Sequence, residues 1–235
     1  MGKDKLKRFG ELEHIERVIQ PAFEEVYNTE YRLKGKWKRT LFGNDNPLVL
    51  ELGCGAGEYT VGLARLYPGK NFLGMDIKGA RIWKGAVIAR RDGLDNVAFL
   101  RTRIDFIKSF FEKDEVDELW ITFPDPQERR RRRKKRLTGD IFLNSYRQFL
   151  KDGGFINLKT DNFGLYIYTL ELAKYNHLEI DWHTDDLYQT DRTDETVSIQ
   201  TYYEALFRAE GKSINFIRFR LPSGQEIREL PYDVE

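Results

Sequence analysis

An aspartate between two prolines stands just before a run of basic side chains, and this is the strongest chemical signal in the chain. Asp125 lies in the Phe-Pro-Asp-Pro sequence of residues 123–126, and every residue from Arg129 to Arg136 is Lys or Arg. The prolines restrict the backbone around the carboxylate. A rigid carboxylate can accept hydrogen bonds from the N–H groups of a base, and a polycation neutralises phosphates. The segment predicts a site that binds a nucleic-acid base and its backbone; the alternative is an exposed turn aspartate.

A glycine loop with acidic neighbours is the second signal. An apolar run leads into Gly53, Gly55 and Gly57, which is the order of strand, glycine turn and helix that lets backbone approach a ligand. Glu58 stands where a dinucleotide fold needs its third glycine, and Glu51 adds a carboxylate that would repel a pyrophosphate. The sulfonium and ammonium of S-adenosylmethionine suit these carboxylates, so the loop predicts this cofactor. A nucleotide, or a glycine turn without a ligand, remains the alternative.

Two further acids follow the next two predicted strands. Asp76 is predicted to accept the ribose hydroxyls of a bound nucleoside, and Asp105 could contact the adenine amino group. For each of them the structural alternative is that it caps the following helix. Cys54, inside the glycine loop, is interpreted as a small residue that fits a tight turn. The three histidines show no metal-ligand spacing, so no metal site is predicted.

Apolar runs and helical spacing alternate along the chain. Strands are predicted at Pro47–Gly53, Asn71–Ile77, Asn96–Arg101, Val116–Phe123, Phe155–Lys159 and His177–Trp182, with Ser213–Leu221 as a final edge strand. Helices are predicted at Tyr59–Leu66, Gly79–Ala89 and Asp140–Leu150, from a cap at Asp161 or Asn162 to Lys174, and from Thr201 onward. This alternation predicts an α/β fold with a mostly parallel, twisted sheet and helices on both faces. Residues 1–40 are predicted to be a mobile basic arm and a helix, and 41–235 a single domain.

Composition narrows the class of protein. The formal net charge is only +1, but Glu112–Glu118 is mostly acidic and Arg129–Arg136 wholly basic, which indicates one oriented electropositive patch. A single cysteine excludes an internal disulfide and fits a reducing compartment. No apolar stretch approaches the roughly 20 residues of a membrane helix, and the first residues do not form a secretory signal. A cytoplasmic protein without membrane or metal partners is predicted; its oligomeric state is not indicated.

Two later segments are also candidates for the site. Asp161 follows the fifth predicted strand and is therefore expected at the edge of the ligand-binding cleft. Thr201 and Glu204 could present a hydroxyl and a carboxylate to the same pocket. Their spacing is also that of a capping box, which would explain both residues without any function.

Five segments, in this order along the chain, resemble the bacterial tRNA (guanine-N7-)-methyltransferases of the TrmB type. They are Glu51–Gly57, Gly74–Ile77, the Phe-Pro-Asp-Pro loop with its basic run to Thr138, Lys159–Asn162 and Thr201–Glu204. The glycine loop is generic to methyltransferases, whereas the last three segments are specific in combination. The resemblance implies a Rossmann-like class I fold that uses S-adenosylmethionine, and tRNA as substrate. It also implies methylation of N7 of a guanine in the variable region, at position forty-six.

The resemblance also implies roles for individual residues. Glu51, Asp76 and the region of Asp105 bind the cofactor, beside the glycine loop, and Asp125 lies at the junction of cofactor and guanine. Arg129, Asp161, Thr201, Tyr203 and Glu204 match substrate-binding positions, and Arg131, Arg132, Arg133, Lys134, Lys135 and Arg136 match an RNA-contacting stretch.

The chain departs from the family at two points. Gln127-Glu128-Arg129 stands where the family usually has Trp-Pro-Lys, and the acid that follows its third strand aligns with Arg103 or Asp105. The alternative functions are methylation of another RNA base or of a protein, and RNA binding without catalysis. Glu58 disfavours an oxidoreductase.

Overall fold

The computed structural model describes residues 2–231, and among them all side chains except those of residues 2–5 and 130. The chain forms two compact units, the first ending at Val116 and the second beginning at Asp117. Within residues 2–231, every helix is too short or too polar to cross a membrane.

The first unit contains parallel strands that alternate with helices, as predicted. Its α-helices and strands are α1 (Gly2–Leu12), β1 (Val18–Ile19), β2 (Leu48–Leu52), α2 (Glu58–Leu66), β3 (Asn71–Asp76), α3 (Gly79–Arg91) and β4 (Val97–Arg101). The strand order is β1-β4-β3-β2, and each neighbouring pair is parallel. All five residues of β2 are buried, which explains its continuous apolar sequence. Residues 2–10, which were predicted to belong to the mobile arm, are part of helix α1 instead.

The second unit combines strands of both directions. Its α-helices and strands are β5 (Val116–Thr122), α4 (Asp140–Tyr146), β6 (Leu150–Thr160), α5 (Phe163–Tyr175), β7 (Ile180–Thr184), α6 (Glu195–Ser198), α7 (Tyr202–Ala209) and β8 (Asn215–Leu221). The strand order is β5-β6-β8-β7, and β8 is antiparallel to both β6 and β7.

The prediction that the final strand lies at an edge was wrong, because β8 lies between β6 and β7. Its alternating pattern comes from Arg218 and Arg220. Their guanidinium groups lie over the ring of Phe155, at 5.5 and 4.0 Å from its centroid. Arginine stems and planar heads pack well on aromatic surface, so a polar residue type here does not mark an exposed face.

Two predicted boundaries also moved. Helix α4 ends at Tyr146 and not at Leu150 as predicted. Strand β6 begins at Leu150, before the predicted Phe155, and continues through Gly153, whose φ of +66° suits glycine. After helix α5, His177 adopts the left-handed conformation (φ +53°) that ends many helices, so β7 begins only at Ile180.

Candidate functional site

The glycine loop of the first unit requires glycine at the three predicted positions. Gly53, Gly55 and Gly57 have φ values of +74°, +55° and +68°, which side-chain-bearing residues adopt only with strain. The backbone N–H groups of Gly53 and Cys54 donate to the carbonyl oxygen of Met75 at 2.8 and 3.1 Å. A Cβ built on Gly53 would meet no atom within 4 Å. The loop is therefore fixed to the end of β3 and leaves open space on one side for a ligand.

A fourth glycine, Gly85 in helix α3, was missed from the sequence. A Cβ on Gly85 would lie 2.7 Å from the carbonyl oxygen of Ala56, and one on Gly57 would lie 2.5 Å from the ring of Phe99. Both distances are too short for a real contact, so the glycine loop and helix α3 pack closely because neither position carries a side chain. The only sequence signal was a glycine within a helical pattern.

Two carboxylates stand at the ends of β2 and β3. Glu51 is only 2% exposed, and its carboxylate accepts a hydrogen bond from the hydroxyl of Thr60. Asp76 accepts from the backbone N–H of Gly55 at 2.9 Å and from that of Lys78 at 2.8 Å. The capping alternative for Asp76 is wrong, because Lys78 is the residue at the N-terminal cap of α3. A carboxylate accepts about four hydrogen bonds, so these two leave capacity for ribose hydroxyls.

Asp105 does not cap a helix either. The 3-10 helix after β4 begins at Ile104, with Arg103 at its cap position. Both Nε and Nη2 of Arg103 donate to Oδ2 of Asp105, at 3.0 and 2.8 Å. The two residues that could align with the family's acid therefore form one exposed ion pair, and the role of Asp105 stays a prediction.

The electrostatics of the loop suit a cationic ligand. Burial, followed by the nearby carboxylates of Glu51 and Asp76, raises the pKa of the Cys54 thiol well above its ordinary value. A raised pKa disfavours the thiolate, which is the nucleophilic form of cysteine, and this agrees with the interpretation of Cys54 as a small turn residue. The same two carboxylates would favour the sulfonium and ammonium of S-adenosylmethionine. Glu58 contributes less than the sequence suggested, since its carboxylate lies 2.6 Å from the ammonium of Lys84.

These observations fit S-adenosylmethionine as the ligand of the first unit. The open side at Gly53, the buried carboxylate of Glu51 and the backbone-bound carboxylate of Asp76 match a cation that carries a ribose. Among the side chains that the structure describes, no three His, Cys, Asp or Glu residues converge as the ligands of a metal ion would.

The second unit holds Asp125 in a constrained loop at the end of β5. The flanking residues Phe123 and Gln127 have φ values of +48° and +51°, a strained conformation for residues with side chains. The backbone N–H of Phe123 donates to the carbonyl oxygen of Lys159 at 2.8 Å. Asp125 itself is exposed, and its Oδ1 accepts from the N–H of Gln127 at 3.1 Å. Its carboxylate is therefore available to a ligand and held in one direction.

The basic run forms a 3-10 helix, Arg130–Lys135. Arg129, Arg131, Arg132, Lys134 and Lys135 are exposed and Arg133 is half-buried. Arg136 differs from the others, since it is only 8% exposed and its Nε donates to the carbonyl oxygen of Pro126 at 3.2 Å. The run thus presents a dense cationic surface but ends in a buried arginine.

The predicted substrate residues at β6 and α7 occupy different environments. Asp161 is half-buried, with an oxygen 3.6 Å from the ammonium of Lys212. The capping box is confirmed: Thr201 accepts from the N–H of Glu204, and Glu204 accepts from that of Thr201. Glu204 is fully buried and lies 2.7 Å from the equally buried ammonium of Lys159, an ion pair that the sequence did not reveal.

Tyr203 lies on the exposed side of α7. Its ring stacks on Phe207, with 6.3 Å between centroids, and Phe207 in turn lies 5.8 Å from the ring of Phe123. This aromatic series connects α7 to the loop that carries Asp125. The structure therefore brings Tyr203 and the Asp125 loop together through Phe207, which was not predicted.

Comparisons with known proteins agree with this geometry. Residues 45–217 match a family described as "Putative methyltransferase". The tRNA (guanine-N(7)-)-methyltransferase of Bacteroides thetaiotaomicron is 46% identical over 235 residues, which are 100% of this chain and 92% of that protein. The enzyme of the same name from Christiangramia forsetii is 50% identical over 220 residues, 93% of this chain and 98% of its own.

A solved structure supports the fold. The 16S rRNA methyltransferase KamB superposes with a TM-score of 0.58, covering 78% of this chain and 92% of its own. Its sequence identity is only 13%, so this likeness shows the fold alone. The predicted class, an α/β Rossmann-like class I methyltransferase fold, is confirmed.

Proposed function

We propose that this chain, which belongs to the family of tRNA (guanine-N(7)-)-methyltransferases, methylates N7 of the guanine at position forty-six in the tRNA variable region. The methyl donor is S-adenosylmethionine. The geometric observation that carries the proposal is Asp125: an exposed carboxylate fixed between two strained residues and followed directly by a cationic surface. This arrangement suits one base of a polyanionic substrate better than a small molecule or a neutral peptide.

The glycine loop and its acids hold the cofactor. S-Adenosylmethionine supplies an electrophilic methyl group on a sulfonium. Glu51 and Asp76 provide the negative potential and the ribose acceptors, and the backbone of Gly53, Gly55 and Gly57 leaves room for the ligand. Asp105, paired with Arg103, is assigned to the adenine side.

Asp125 orients the guanine. N7 carries an in-plane lone pair at neutral pH, so no group has to remove a proton from it. The catalytic demand is alignment, together with stabilisation of the positive charge that develops on the ring. A carboxylate that accepts hydrogen bonds from guanine N–H groups meets both demands, and the strained loop holds it in place.

The tRNA backbone binds the exposed cations. Arg129 and the basic run from Arg131 to Lys135 are assigned to phosphates, while Asp161, Thr201 and Tyr203 are assigned to the substrate around the target base. Glu204 supports that group from the interior, because its carboxylate is occupied by Lys159 and by the start of α7. We further assign the protein to the cytoplasm, where tRNA is modified, and residues 41–235 to one methyltransferase domain after a basic N-terminal segment.

The test is methyl transfer from labelled S-adenosylmethionine to unmodified tRNA, followed by nuclease digestion and identification of the nucleoside. The expected product is 7-methylguanosine from the variable region. Another methylated nucleoside would contradict the proposed target, and RNA binding without transfer would favour a non-catalytic protein.

Asp125→Asn separates the role of the carboxylate from that of the loop, since the amide keeps its size. We expect loss of turnover, of about a hundredfold or more, with cofactor affinity unchanged by calorimetry. Asp152→Asn is the matched control, because that carboxylate also accepts from a backbone N–H, that of Ser223 at 2.7 Å, but lies away from the Asp125 loop in sequence. Turnover of Asp125→Asn at the wild-type rate would remove Asp125 from the mechanism.

A further inference from the structure

Arg136 joins the end of the basic run to the loop that carries Asp125. Its Nε–H donates to the carbonyl oxygen of Pro126, the residue that follows Asp125. Arg136 is only 8% exposed, whereas Arg129, Arg131, Arg132, Lys134 and Lys135 are exposed and Arg133 is half-buried. A phosphate could bind Arg136 only if the arginine side chain broke its hydrogen bond to Pro126 and moved to the surface.

A tyrosine packs on the guanidinium of Arg136, and a glutamate binds that tyrosine. The guanidinium carbon lies 4.3 Å from the ring centroid of Tyr168, in helix α5. The Tyr168 hydroxyl donates to both carboxylate oxygens of Glu229, each at 3.0 Å. Burial and the Glu229 carboxylate raise the pKa of Tyr168, so the hydroxyl keeps its proton and acts as a donor. Stacking on a ring uses the planar face of arginine, which lysine lacks.

The segment that carries Glu229 is itself fixed. In this segment, which we call the 225–230 strap, the N–H and carbonyl of Ile227 pair with the side-chain amide of Asn144 at 3.0 and 2.7 Å. The N–H and carbonyl of Arg228 pair in the same way with the side-chain amide of Asn176, both at 2.8 Å. Each asparagine thus imitates a neighbouring strand, and Glu229 follows directly on an anchored backbone.

From these contacts we infer that Arg136 is a positioning residue, which together with Tyr168 and Glu229 holds the carbonyl of Pro126 and thereby the Asp125 loop. The inference rests on the proposed function and reassigns Arg136 from the RNA surface to the support of the catalytic loop. The positive φ values of Phe123 and Gln127 explain why the loop needs this support. A strained backbone conformation persists only where the surrounding contacts stabilise it.

The first test is Arg136→Lys, which keeps the charge but loses the Nε–H and the stacking plane. Arg220→Lys is the matched control: Arg220 also donates to a backbone carbonyl (Gly153, 2.9 Å) and also lies over an aromatic ring, that of Phe155. We expect kcat for tRNA methylation to fall by about tenfold or more in Arg136→Lys, with KM for tRNA close to that of the wild type. The Arg220→Lys enzyme should keep its kcat. Wild-type kcat in Arg136→Lys would overturn the inference.

The second test compares Arg136→Gln with Arg132→Gln by measuring tRNA affinity against salt concentration. Removing a phosphate contact lowers the slope of log affinity against log salt by about 0.7–0.9. We expect this decrease for exposed Arg132 and an unchanged slope for Arg136. A decrease for Arg136 as large as that for Arg132 would assign it to the RNA surface.

Limited trypsin digestion provides a measurement that needs neither activity nor RNA. Tyr168→Phe removes only the hydroxyl that binds Glu229 and keeps the ring that packs on Arg136. Because the change is this small, we expect the variant to fold even if the Arg136 variants are unstable. We expect trypsin to cleave within residues 129–136 about fivefold faster than in the wild type. The loss of one hydrogen bond raises the fraction of molecules in which this segment is open to the protease by about this factor. An unchanged cleavage rate would refute the role of Glu229. Failure of the tRNA assay with wild-type enzyme, by contrast, would refute the proposed function and leave this result valid.

Discussion

Replacing Glu204 by glutamine keeps the size of the side chain but removes a charge that lies wholly inside the second unit. Glu204 and Lys159 are both 0% exposed, with 2.7 Å between carboxylate oxygen and ammonium nitrogen. The ammonium also donates to the carbonyl oxygens of Thr196 and Ile199, at 2.6 and 3.1 Å. Glu204 in turn accepts from the hydroxyl of Tyr188 at 2.8 Å. The substitution therefore leaves a buried cation without its neutralising charge.

The expected cost follows from this burial. Removal of one partner from a buried ion pair destabilises a protein by about 3–5 kcal/mol, because the remaining charge stays desolvated. For a protein of this size, that corresponds to a fall in Tm of about 6–20 °C. The matched control is Glu179→Gln, since Glu179 pairs with Arg220 at 3.2 Å but is 71% exposed. We expect that control to change stability by less than about 0.5 kcal/mol.

The assay is urea unfolding followed by tryptophan fluorescence at several pH values. Burial lowers the pKa of Lys159, and the Glu204 carboxylate opposes this effect, so the pKa of Lys159 is lower still in Glu204→Gln. At pH values between this pKa of the folded variant and the pKa of about 10.4 for a lysine in the unfolded chain, the unfolded chain binds more protons than the folded one. The stability of the variant therefore rises with pH in that range. The deficit relative to wild type should therefore narrow toward alkaline pH. A variant within about 0.5 kcal/mol of wild type, but with a raised KM for tRNA, would show that Glu204 contacts substrate and would refute this reasoning.

Three further outcomes are expected. Gly85→Ala, which at most helix positions would stabilise, should destabilise and weaken cofactor binding by calorimetry, because its Cβ would lie 2.7 Å from the carbonyl of Ala56; a rise in Tm would contradict the close packing. Iodoacetamide should label Cys54 more slowly in the native protein than in urea, because its pKa is raised; equal rates would show an open loop. Changing the exposed Arg131, Arg132, Lys134 and Lys135 together to glutamine should raise KM for tRNA and lower the salt slope by about 3, and an unchanged slope would place the RNA elsewhere.

Most of the first unit could be predicted from its sequence because its signals are local. A strand buried on both faces is apolar at every position, and a loop that turns tightly beside a ligand needs glycine. Gly53, Gly55 and Gly57 have the positive φ values that this interpretation requires. The capping box at Thr201 was predictable for the same reason, since both partners lie within one helical turn.

The parts that were missed depend on partners distant in sequence. Arg136 has the same residue type as its neighbours, and only the positions of Tyr168 and Pro126 reveal that it is buried. Lys159 reads as the polar end of a strand until Glu204 is found beside it. A charged residue type indicates exposure on average, but it does not show which of several charges finds a buried partner.

The pairing of Arg136 with Tyr168 and Glu229 also has a consequence for biosynthesis. Arg136 leaves the ribosome before Glu229, which emerges only after helices α4 to α7 and strand β8 have been made. During that interval the nascent basic run lacks the last member of its support. The order of synthesis thus delays completion of the contacts that hold the Asp125 loop until almost all of the second unit has been translated, and a fusion or truncation near residue 229 would disturb that loop first.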